Sequence, residues 1–115
     1  MIWYEDLFLG ESITERRKKR IIRGVKKRSF FSHAYLLTLP TNPDNLMDLI
    51  STGVLRQKHY PKKGLFVIGI AADYDEALLL AGRIVAGIYA AQGNFNLGEF
   101  FRRRPSADRK DGPSC

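Results

Sequence analysis

The chain has 115 residues, of which 44% are apolar and 27% charged, with a net charge of +7 and one cysteine, Cys115. A chain of this length and apolar content forms one domain with its own core, which excludes intrinsic disorder, and a single cysteine excludes an internal disulfide. The acids between Met1 and Asp6 exclude a signal peptide, and the longest near-apolar run, Ala77 to Ala91, is broken by Gly82, Arg83 and Gly87 before it reaches membrane-spanning length. The expectation is a soluble, cytoplasmic protein with no membrane contact.

In chain order, Ile2, Trp3, Leu7, Phe8 and Leu9 are expected to pack as an N-terminal arm against the domain. Gly10 breaks the chain. Ser12 then suits an N-cap, and Glu15 three residues on completes a capping box for a helix to about Arg28. Residues 16–28 of that helix hold nine of the 19 Lys and Arg residues and no acid. Removing those nine from the net +7 leaves −2 for the remaining residues, so the basicity is a local device on a mildly acidic domain. At 100° per residue, Ile21, Ile22 and Val25 form a narrow apolar stripe. Arg16, Arg20, Arg23 and Lys27 fall opposite it, with Lys19 and Lys26 beside them. All the apolar anchors lie in the second half, so the first half should lie loosely on the surface.

Ala34 to Leu39 reads as a strand ended by Pro40. Asn42-Pro43 suits a helix start, with Leu46, Met47, Leu49 and Ile50 as its apolar positions and Gly53 at its stop. Val54 to Lys63 is compatible with a short strand or a loop. Leu65 to Ala72 is apolar on both faces and needs cover on both sides of its sheet. Asp73 with Glu76 caps a long helix that runs to about Gln92 and stops at Gly93. Asn96 starts a short last helix, with Phe95 and Phe100 at the positions of a hydrophobic staple. Residues 1–104 are thus expected to form a single α/β domain and 105–115 a disordered polar tail. The expected fold is a small sheet of two or three strands with a parallel strand–helix–strand unit. A basic N-terminal helix and C-terminal helices flank it.

The segment Tyr60-Pro61-Lys62-Lys63, through Gly69-Ile70-Ala71, to Tyr74-Asp75-Glu76-Ala77 resembles a family of small bacterial α/β proteins to which no activity is assigned. The resemblance spans about the last two-thirds of the chain. It implies a stand-alone domain and brings with it no ligand, cofactor or site.

No residue set has the spacing of a catalytic, cofactor or metal motif, so the expectation is a non-catalytic accessory domain. Asp73, Asp75 and Glu76 could hold a divalent cation, but capping spacing already explains Asp73 and Glu76. His33 and His59 stand apart, and Cys115 has no fixed partner to activate it. The basic face, Arg16, Lys19, Arg20, Arg23, Lys26 and Lys27, has the charge density to contact a polyanion such as nucleic acid. It has no interleaved aromatic residues for base readout, so contact would be nonspecific. The alternative is a self-associating module whose acidic protein partner takes the same face.

On the long helix, Tyr74, Leu78, Ala81, Val85 and Ile88 are the expected core stripe. Leu79, Leu80, Ala86, Gly87 and Ala90 lie opposite it. An outer face of that composition calls for cover by the last helix, by the N-terminal arm or by a second copy in a twofold homodimer.

Overall fold

The computed structural model describes residues 1–27, 33–40, 44–55, 57 and 64–102. A four-stranded mixed sheet carries helices on both faces. The elements are β1 (Ile2–Leu9), α1 (Glu15–Lys27), β2 (Tyr35–Thr38), β3 (Asp48–Ser51), α2 (Thr52–Leu55), β4 (Phe66–Ala71), α3 (Tyr74–Gln92) and α4 (Leu97–Arg102). Spatial order is β1-β4-β2-β3, with β1 parallel to β4 and the other two pairings antiparallel.

β4 lies inside the sheet, as its doubly apolar sequence requires. Leu65, Val67 and Ile70 join Ile21 and Val25 of α1, Leu36 of β2 and Leu55 of α2 in one core. Ile68 and Ala71 face the other way, toward Ala77, Leu80, Ile84 and Ile88 of α3 and Leu97 and Phe101 of α4. Val67 and Ile70 are three residues apart yet share a face. The pairing with β2 skips Ile68 at this point, so a bulge supplies the extra residue. A side chain at Gly69 would press on the Phe8 carbonyl oxygen, 3.1 Å from the position its Cβ would take. The close approach of β1 therefore favours glycine there.

Four expectations are corrected. The N-terminal segment is an edge strand, not an arm. It is bonded to β4 from Ile2 N–H to the Leu65 carbonyl (2.7 Å) and from Gly10 N–H to the Ile70 carbonyl (2.9 Å). Its pairing is irregular between Trp3 and Phe8, which hides the period of two from a reading of the sequence. Tyr4 is buried there, edge-on to Phe101 with ring centres 4.9 Å apart.

The second correction concerns Leu46, Met47, Leu49 and Ile50. They do not form a helix, because Asp48–Ser51 pairs with β2 as a strand. Leu49 lies opposite Leu37 and Ile50 opposite Leu36, so each extends a row of one core. Cross-strand packing overrides the local helix signals. Asn42 and Pro43 lie outside the described residues. Gly53 sits inside α2, and buried Thr52 ties α2 to the start of β2. Its N–H donates to the Ala34 carbonyl (2.9 Å), and its hydroxyl accepts from Ala34 N–H (3.2 Å).

Third, the sheet has four strands, and the two strands expected to be parallel, β2 and β4, are antiparallel. The parallel relation belongs to β1 and β4. The basic helix follows a strand and is not the N-terminal element.

Fourth, α3 is rotated from its expected setting. Ala77, Leu80, Ile84 and Ile88 face the core, whereas Tyr74 and Leu78 are half exposed. Leu80 is therefore a core residue covered within the chain and not part of an outer face. Both sides of α3 are apolar, so periodicity alone does not fix the rotation. The ends of α3 match the sequence. Asp73 accepts from Glu76 N–H (2.9 Å), and Gly93 closes the helix in the left-handed region at φ 78°.

Candidate polyanion-binding face

α1 is held at both ends of its apolar side. Ile21 is fully buried and Val25 nearly so, and Gly24 between them is also buried. Ahead of the helix, Ile13 enters the same core. The first half is therefore tied down at Ile13 rather than lying loose. The N-cap is Thr14, whose hydroxyl accepts from Arg17 N–H (3.1 Å), and not Ser12. Ser12 donates its hydroxyl to Glu76 at the start of α3.

With Ile21, Gly24 and Val25 directed inward, Arg16, Lys19, Arg20, Arg23, Lys26 and Lys27 are all exposed. They cover roughly a third of the helix circumference over its whole length. Lys18 pairs with Glu15 at 2.9 Å, on the border of the buried stripe. Among the described residues none of the six forms an ion pair. Lys26 and Lys27 in the last turn sit at the negative end of the helix dipole, and Glu15 in the first turn at the positive end. The arrangement presents a row of guanidinium and ammonium groups that can donate to phosphate or carboxylate oxygens.

The other candidate residues do not converge. Asp73 is occupied as the N-cap of α3. Glu76 turns back to accept from Ser12 and from Ala72 N–H (3.1 Å), while Asp75 points to solvent. Among the described residues no group of three His, Cys, Asp or Glu is placed to hold a metal ion, and no helix is long and apolar enough to cross a membrane. His33 is exposed and meets Tyr35 edge-on with ring centres 5.5 Å apart. His59, Cys115 and residues 103–115, which include the expected disordered tail, lie outside the described residues.

Of the face read from the sequence on α3, Leu79, Ala86, Gly87 and Ala90 are exposed, and Leu79 is 68% accessible. Neither intramolecular cover reaches them. Phe101 of α4 is spent on Tyr4, Phe8 and Phe66, and the N-terminal segment is in the sheet.

Sequence reasoning missed a shallow groove of about 470 Å³ between β3 and α3, lined by Leu46, Met47, Leu49, Leu78 and Val85 among others. It arises because α3 and α4 cover β4, β2 and β1 but leave that side of β3 open. Finding it requires knowing that 48–51 is a strand.

Comparison with known proteins finds no matching family model, no similar curated protein and no similar solved structure.

Proposed function

We propose that the protein is a non-catalytic accessory domain that contacts nucleic acid through α1, without sequence preference. One observation carries this reading. Six exposed cations without ion-pair partners among the described residues share one side of a helix whose other side is fixed in the core. A rigid row of this kind meets a phosphate backbone without first paying to order the helix, and released counterions drive the association. No aromatic side chain lies within α1, so the helix offers no platform on which a base could stack. The runner-up, an acidic protein partner on the same face, shares the charge but not the salt response. A packed protein interface loses affinity less steeply as salt rises.

The test is a fluorescence anisotropy titration of labelled duplexes of unrelated sequence at low salt. Binding of equal strength to all of them is expected, and the Arg20→Glu/Arg23→Glu variant should lose affinity uniformly while keeping its thermal midpoint. Absence of binding at high protein concentration removes the reading, and strong preference for one sequence contradicts its nonspecific form.

A further inference from the structure

We infer that the outer face of α3 docks on the same face of a second copy of the chain, about a twofold axis at Leu79, with Asp75 of each copy against Arg83 of the other. Leu79 is 68% accessible, above Leu78 at 48% and the other large apolar side chains exposed on the surface. Asp75 and Arg83 stand four residues to either side of it, so the three form one row along the helix, Asp–Leu–Arg. The row spans eight residues, about 12 Å at the helical rise. Asp75 and Arg83 are both exposed, and neither has an ion-pair partner among the described residues.

The symmetry follows from the spacing. A twofold axis in the interface beside Leu79 brings the level of residue 75 to that of residue 83 in the other copy. Asp75 and Arg83 lie about 40° to either side of Leu79, so the row is inclined to the helix axis, and the two rows coincide when the helices cross about 50° away from antiparallel, the angle at which rows of spacing four pack together. Each Asp75 then faces an Arg83, and the two Leu79 side chains cover each other. An Asp–Leu–Asp or Arg–Leu–Arg row would repel its own copy, whereas this one is self-complementary. Next to the row, a methyl group at Gly82 would meet nothing within 4 Å, so the space in front of the backbone is open to an approaching helix. Ala86, also exposed, continues that low surface.

α1 and α3 pack on opposite faces of the sheet, so docking through α3 leaves the basic face free. This inference and the nucleic-acid reading therefore stand or fall separately.

Sedimentation equilibrium of the full chain, from micromolar to submillimolar concentration, decides it. A dimer is expected. Arg83→Asp and Asp75→Arg should each weaken it about tenfold or more, since two attractive pairs become two repulsive ones. The double variant Asp75→Arg/Arg83→Asp should restore it. Leu79→Glu should give a monomer with an unchanged thermal midpoint, because Leu79 contributes little to the core. A monomer across the whole range overturns the inference and leaves the face to a different protein. A dimer that both single reversals leave intact, or that the double variant fails to restore, also overturns it.

Discussion

Gly10 lies where the loop after β1 passes the start of α3, and it is buried against the Glu76 side chain. A Cβ added to Gly10 would collide with that side chain, since its three nearest atoms all belong to Glu76. Gly10 does not sit at positive φ, so alanine suits its backbone and the cost of Gly10→Ala is purely steric. To make room, Glu76 must release Ser12 and Ala72 N–H. Hydrogen bonds to a charged group are worth about 1.5–3 kcal/mol each, less where solvent competes, as it does at exposed Ser12. Against this stands a gain of about 0.4–1 kcal/mol from a stiffer unfolded chain. The net expectation is a loss of about 1–2 kcal/mol. With Glu76→Ala already in place the obstacle is gone, and the same change should be neutral or stabilising by up to about 1 kcal/mol. Urea unfolding of the four proteins in this cycle measures the coupling. Additive effects would show that Gly10 and Glu76 do not meet in solution and would refute the reasoning.

Three further outcomes follow from the packing. Leu80→Ala should cost about 2–5 kcal/mol in urea unfolding, whereas Leu79→Ala, one residue away, should stay within about 0.5 kcal/mol at concentrations where the protein is monomeric. Equal effects would mean that α3 is rotated otherwise. Thr14→Ala should destabilise by about 1 kcal/mol through the lost N-cap and lower the protection of the first α1 amides from hydrogen exchange; unchanged protection would put the cap elsewhere. Phe101→Ala should cost about 3–5 kcal/mol, because its ring meets Tyr4, Phe8 and Phe66 between β1 and α4, and a small loss in calorimetry would contradict that placement.

What the sequence discloses depends on how local each signal is. Asp73, Glu76 and Gly93 mark the ends of α3 by chemistry within a few residues, and the structure keeps those ends. The doubly apolar run at 65–72 announces an interior strand. The exposed row of α1 follows from three anchors and helical spacing. Ser12 and Thr14 are both reasonable caps by type, and the choice turns on Glu76, 64 residues beyond Ser12. β1 is hidden because its pairing slips between Trp3 and Phe8 and its aromatic partner Phe101 comes late in the chain. β3 is four residues long and is a strand only because β2 lies beside it. The rotation of α3 is likewise a tertiary outcome, since both of its sides are apolar. The charged face of the candidate site and most of the outer face of α3 were therefore legible, while the burial of Leu80 and the groove between β3 and α3 were not.

The proposal that α1 contacts a phosphate backbone is tested most directly by the salt dependence of duplex binding. If the six exposed cations of α1 meet about three to six phosphates, log K against log salt should fall with a slope of roughly −3 to −5. Arg20→Glu/Arg23→Glu should flatten that slope by about two. A slope near zero, or a slope that this variant leaves unchanged, would contradict it.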